Sequence, residues 1–114
     1  MTDDCVFCRI AAGKAPARFV YQDDEVIAFH DIAPVAPTHI LIVPRRHILS
    51  TAHIDDQTAP LMGRLVQVAA HIARAENVET SGYRLIVNCG PDSGQIVMHL
   101  HVHLLAGRRM GRLG

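Results

Sequence analysis

A chain of 114 residues, 49% of them apolar, has room for one hydrophobic core and is too apolar to remain disordered. Its 11 lysines and arginines balance 11 aspartates and glutamates, which argues against a general nucleic-acid binder, because such proteins carry a basic excess. Three cysteines make no disulfide framework, no apolar run nears the roughly 20 residues of a membrane span, and Met1-Thr2-Asp3-Asp4 lacks a leader's basic and apolar regions. A cytoplasmic protein with reduced thiols and no membrane partner is therefore expected.

Cys5 to Ala12 reads as a short helix, closed by Gly13 and followed by Pro16. Phe19–Gln22 and Val26–Phe29 read as strands joined by a turn at Asp23-Asp24. After a loop at Pro34, Pro37 and Thr38, the segment His39 to Val43 is nearly all apolar, as in a strand buried on both faces, and Pro44 should end it. Gln57 to Asn77 reads as the one long helix, with Leu61, Leu65, Val68, Ala69 and Ile72 forming an apolar stripe. Tyr83 to Asn88 and His99 to Leu105 are the last two strands, with a turn-like Gly90-Pro91-Asp92-Ser93-Gly94 between them, and residues 109–114 read as a loose tail. Strands and helices do not alternate. The fold class is therefore α+β, one domain over 1–114 with an antiparallel five-stranded sheet, one long helix and a short N-terminal helix.

Eight histidines are the unusual feature, and three of them alternate in His99-Leu100-His101-Val102-His103. In a strand the three imidazoles share one face, while Leu100, Val102 and Leu104 point into the core. One bland reading is three solvated side chains on an exposed strand, but packing does not call for three imidazoles in register. Two chemical readings remain open: a set of metal ligands, or a nucleophilic imidazole with neighbours that orient it and move protons. Upstream, Cys5-Val6-Phe7-Cys8 is half of a structural zinc site, whose other half would have to come from isolated histidines.

The stretch His99-Leu100-His101-Val102-His103-Leu104-Leu105 resembles the signature of the histidine triad (HIT) superfamily. Phe29-His30-Asp31-Ile32, Ala36-Pro37-Thr38-His39, Val43-Pro44 followed by His47, Gly82-Tyr83-Arg84, Val87-Asn88 and Gly94-Gln95 resemble its Hint-like branch, bacterial type with an N-terminal C-x2-C. The resemblance covers residues 5 to about 109.

It implies that His101 is the nucleophile and forms a nucleotidyl-histidine intermediate that water hydrolyses. His103, His39 and His99 are implied to orient it and handle the leaving group's proton. Asn88, Gly94 and Gln95 map to phosphate contacts, Asp31 to the ribose hydroxyls, and Phe29 and Ile32 to apolar walls for the base. On their own residues, Asn88 and Gly94-Gln95 read equally as turn positions, Asp31 as an Asx turn, and Phe29 and Ile32 as core. The resemblance also implies a structural zinc held by Cys5, Cys8, His47 and His99 that the chemistry does not require, and a homodimer.

The implied activity is hydrolysis of purine nucleoside 5′-phosphoramidates or aminoacyl adenylates, that is AMP or GMP conjugates. Dinucleoside polyphosphate hydrolysis and a nucleotide-binding regulatory module with weak turnover are the alternatives. Two features depart from the branch. Ile96 stands where it often has serine, which removes a hydrogen-bond donor. The chain also has no tryptophan and ends instead in an arginine-rich tail.

Overall fold

The computed structural model describes residues 4–114. The cysteine pair opens the chain's first helix, α1 (Val6–Ala11): Cys5 is its N-cap, and its sulfur accepts a hydrogen bond from the Cys8 backbone N–H. A hairpin follows, with β1 (Phe19–Gln22) antiparallel to β2 (Val26–His30). The Asp23 carboxylate closes this turn by accepting from the Glu25 and Val26 N–H groups.

The third strand, β3 (Thr38–Pro44), is buried along nearly its whole length, as its run of apolar residues predicts. A buried strand must be covered on both faces, and it is. The long helix α2 (Ala59–Ala75) covers one face with Leu65, Val68, Ala69, Ile72 and Ala73. Phe7 and Ile10 of α1 cover the other, against Ile27, Phe29, Leu41 and Val43. The sheet is completed by β4 (Tyr83–Ile86) and β5 (Val102–Ala106), and its order is β1-β2-β3-β5-β4, antiparallel throughout. The expected α+β architecture of five strands, one long helix and one short helix is therefore present.

Element ends differ from the sequence reading for local reasons. The long helix is Ala59–Ala75 rather than 57–77 because hydrogen bonds outside the helix take over at both ends. Asp55 Oδ1 accepts from the Gln57 and Thr58 N–H groups, while Thr58 Oγ1 accepts from the Asp55 N–H. At the C-terminal end Asn77 turns left-handed at φ 60, and the Asn77 and Val78 N–H groups bond back to Arg74 and Ala73 carbonyls. That is a Schellman stop with asparagine in the position glycine usually takes.

The fourth strand ends at Ile86 and not at Asn88. The last strand begins at Val102 rather than His99, which corrects the picture of a continuous histidine ladder. Its pairing with β3 stops at Ile42–Val102, and two steps further β3 reaches Pro44, which has no N–H to offer. Leu100 donates instead to the Ile48 carbonyl. Leu100, Val102 and Leu104 still lie in the core beneath α2, as alternation requires.

Among the described residues, no helix is long and apolar enough to cross a membrane. After β5 the chain turns at Gly107 (φ 94), and Arg84 donates to the Gly111 and Arg112 carbonyls.

Candidate active site and metal centre

The face of the sheet opposite α2 carries all the unusual chemistry. On β3, His39, Leu41 and Val43 point to this face, and on β5 the residues opposite His39 and Leu41 are Leu105 and His103. The chain from His99 to His101 delivers two further rings just before β5 starts. His99 is fully buried and His101 nearly so, so neither is a solvated surface histidine.

The two ends of this segment serve two separate clusters. At the first, Cys5, Cys8, His47 and His99 bring four ligand atoms within 4.8 Å of one another. His99 Nδ1 lies 3.3 Å from Cys5 Sγ, 3.5 Å from Cys8 Sγ and 3.1 Å from His47 Nδ1, and Cys8 Sγ lies 3.3 Å from His47 Nδ1. A tetrahedral zinc, with bonds of about 2.3 Å to sulfur and about 2.0–2.1 Å to nitrogen, sets its ligand atoms roughly 3.3 to 3.8 Å apart. The donor set and its spacing therefore fit a closed zinc site.

The tautomer fits as well. His99 Nε2 is 2.8 Å from the Pro44 carbonyl, which can only accept, so Nε2 carries the hydrogen and Nδ1 presents its lone pair to the cluster. Burial, then the neighbouring His47 and His101, push the His99 pKa down to about 4 against the opposing pull of the Pro44 carbonyl.

At the second cluster, His101 Nδ1 lies 2.7 Å from the His99 carbonyl. By the same logic Nδ1 carries the hydrogen, and Nε2 keeps the lone pair. His39 is wired in the opposite sense. The Val35 N–H donates to His39 Nδ1 at 3.1 Å, so the hydrogen of His39 sits on Nε2. That nitrogen lies 2.9 Å from His103 Nδ1 and 3.4 Å from Asp31 Oδ2. His103 Nδ1 thus accepts, and its own hydrogen sits on Nε2.

Burial, followed by the nearby His101 and His39, pushes the His103 pKa down to about 4, opposed by Asp31. Burial lowers His39 too, again against Asp31. Both rings are therefore neutral at pH 7, as donor–acceptor chains require.

A cavity of about 190 Å³ opens on this second cluster, lined by Asp31, Asn88, Gly94, His101 and His103 together with Phe7, Leu41, Ile96 and Val97. Five of the residues singled out in the sequence thus meet at one cavity, though they come from four separate segments. His39 stands behind His103 in the hydrogen-bond chain.

Three of the others do not line it. Phe29 is buried between α1 and the sheet, edge-on to Phe7 at 5.6 Å. Ile32 stands 99% exposed on the β2–β3 loop. Gln95 spends its side chain on backbone: Oε1 accepts from the Gly90 N–H, and Nε2 donates to the Leu49 and Val97 carbonyls. The Gly94 and Gln95 N–H groups are also engaged within the loop, with Pro91 and Gly90 carbonyls. Gly94 caps the short turn Pro91–Ser93 at φ 91, a conformation that favours glycine.

Sequence reasoning overlooked Phe7, which meets the rings of His101 at 5.1 Å and His99 at 5.7 Å. Its place between the two cysteines hid it. Leu41 was legible, since it lies two residues from His39 on the same face of a strand.

The HIT domain family matches residues 12–110 of this chain. The chain belongs to the HIT family. Purine nucleoside phosphoramidase from Escherichia coli is 44% identical over 111 residues, covering 97% of this chain and 93% of that one. Protein HitA from Neisseria gonorrhoeae is 42% identical over 103 residues, covering 90% of this chain and 95% of the other. Among solved structures, a histidine triad protein from Clostridium difficile superimposes with a TM-score of 0.96 at 43% identity, covering 100% of this HIT chain and 99% of its relative.

Proposed function

We propose that this HIT-family hydrolase cleaves purine nucleoside 5′-phosphoramidates or aminoacyl adenylates through a nucleotidyl adduct on His101. The observation that carries the reading is the bond from His101 Nδ1 to the His99 carbonyl, which leaves the Nε2 lone pair on a ring that lines the cavity. A neutral imidazole so oriented is a competent nucleophile toward phosphorus.

His101 Nε2 attacks the α-phosphorus, the bond from phosphorus to the leaving amine or acyl oxygen breaks, and His101 becomes a nucleotidyl-imidazolium that keeps its Nδ1–H on the His99 carbonyl. The leaving amine departs with a proton from His103 Nε2. For this step the His103–His39 pair carries one extra proton, taken up beside Asp31 when the negatively charged substrate binds, so that donation leaves both rings neutral. His39 stands behind it, held by the Val35 N–H and Asp31. Water then attacks phosphorus and the N–P bond breaks. The nucleoside monophosphate leaves, neutral His101 returns, and the water's proton restores the His103–His39 pair.

The Asn88 amide can donate to the developing phosphoryl charge. Asp31 accepts from the ribose hydroxyls, and the exposed Ile32 offers the base an apolar wall, while Phe29 stays buried in the packing beneath α1. Gln95 and Gly94 shape the phosphate loop. The described residues lining the cavity include no lysine or arginine, so a polyphosphate chain finds no counter-charge there.

Cys5, Cys8, His47 and His99 would hold zinc as a closed structural site. When bound it supplies cross-linking of α1, the segment after β3 and the segment before β5, and no chemistry. His99 serves both clusters, its ring facing the ligand set and its carbonyl orienting His101. Thiols that form no disulfide among the described residues suit a cytoplasmic protein. The outer edge of the sheet pairs two copies, because β4 is half-exposed along its length and Val66 of α2 and Val87 beside β4 face outward.

Intact mass after mixing with adenosine 5′-phosphoramidate and a basic quench tests the chemistry. A nucleotidyl adduct is expected on the native chain, with adduct and turnover both lost in His101→Ala. Full turnover in that variant would sink the mechanism. Turnover is expected to survive zinc removal at a temperature where the protein stays folded, while thermal stability falls. Loss of turnover in step with zinc occupancy would overturn the structural assignment.

A further inference from the structure

A second depression, of about 430 Å³, adjoins the catalytic cavity and shares Ile96 and Val97 with it. Its remaining wall comprises Asp4, Val6, Leu49 and Met98, with Cys5 and His47 of the ligand set at its base. Four of these apolar side chains are exposed: Ile96 at 90%, Met98 at 49%, Val6 at 40% and Leu49 at 39%. Single exposed apolar residues need no explanation, but four around one depression that opens from a catalytic cavity do. The described lining contains no lysine or arginine and has one carboxylate, on Asp4. With zinc bound, two thiolates and two neutral imidazoles add no net charge to the base.

Such a surface is poor for phosphate and good for hydrocarbon. The nucleoside is held from the Asp31 side of the catalytic cavity, on the β2–β3 loop. The groups beyond the scissile bond can then leave over Ile96, on the loop before β5.

We propose that the groove of Val6, Leu49, Ile96, Val97 and Met98 receives the leaving group, and that the preferred leaving group is an amine bearing an apolar substituent rather than a phosphate chain. This rests on the phosphoramidase reading above and narrows its substrate class. Ile96 is then a specificity-determining residue: where a serine would offer a hydrogen bond, its side chain offers contact with the substituent as it passes from one cavity to the other.

The test is a homologous series of adenosine 5′-phosphoramidates, from the unsubstituted amide through N-methyl to N-butyl, assayed with the zinc-loaded protein. Full burial of a methylene corresponds to about a fourfold gain, so kcat/KM is expected to rise about two- to fourfold per carbon. The slope should flatten in Met98→Ser and in Ile96→Ser, both exposed positions whose substitution spares the core. Diadenosine tetraphosphate should be turned over at least about tenfold less efficiently than the N-butyl amide.

A slope near zero in the native protein, or one unchanged in both variants, overturns the groove assignment while leaving the phosphoramidase reading intact. No turnover or adduct with any member of the series overturns both.

Discussion

At the residue scale, two backbone groups decide what each imidazole can do. The His99 carbonyl leaves the lone pair of His101 on Nε2, whereas the Val35 N–H makes His39 an Nε2 donor. The same amino acid thus serves opposite roles within one cluster. The depressed pKa of His103 has a consequence for acid stability. Its folded value is about 4 against an ordinary 6.5, so between those values the unfolded chain binds the extra proton and the folded one resists it. His103 therefore favours folding fully above about pH 6.5, and this contribution is lost as pH falls toward 4. Urea unfolding at pH 7 and pH 4.5 should show native protein losing more stability than His103→Gln over that interval. Equal losses would mean that burial does not depress this histidine.

At the element scale, the turn out of β5 is as tightly specified as the strand itself. Gly107 sits at φ 94, and a Cβ there would lie 2.7 Å from Pro37 Cβ. Beside it, Arg108 donates to the Val35 carbonyl on the same loop whose Val35 N–H holds His39. Gly107→Ala combines left-handed strain with a ring clash and should cost about 2 kcal/mol, read as a lower urea midpoint. An unchanged midpoint would show that the Pro34–Pro37 loop yields freely. Similar logic explains the helix ends: Asn77 stops α2 by turning left-handed, which its short polar side chain tolerates, and its identity was visible in the sequence while its φ was not.

At the scale of the whole molecule, an open sheet covered on both faces leaves its two edges, β1 and β4, and a helix surface for assembly. Of these, β4 is half-exposed residue by residue and runs into the exposed Val87, while Val66 is exposed on α2. If two copies pair there, sedimentation at micromolar concentration should give twice the 12.5 kDa chain mass. Val87→Arg should shift it toward the monomer, by placing an unpaired charge in the interface. A native protein that sediments as a monomer would remove the pairing from the account.

The sequence by itself determined the fold class, the long helix, the doubly buried strand, the alternating histidine run and the cysteine pair. Those depend on periodicity and residue type, which are local. His99, His101 and His103 were legible as a group because alternation places them on one side, and Cys5 with Cys8 because their spacing marks a helix turn. The division of labour within that group was decided only by the tertiary structure. It depends on which carbonyl or N–H each ring meets, and the Pro44 carbonyl lies 55 positions away from His99 in the chain. The same holds for Gln95, whose amide ties Leu49 to the loop at Gly90, and for Phe7, brought against His101 by the packing of α1 on the sheet. Long-range approach of this kind leaves no local pattern, because chain closure and core packing set it and not the neighbours in sequence.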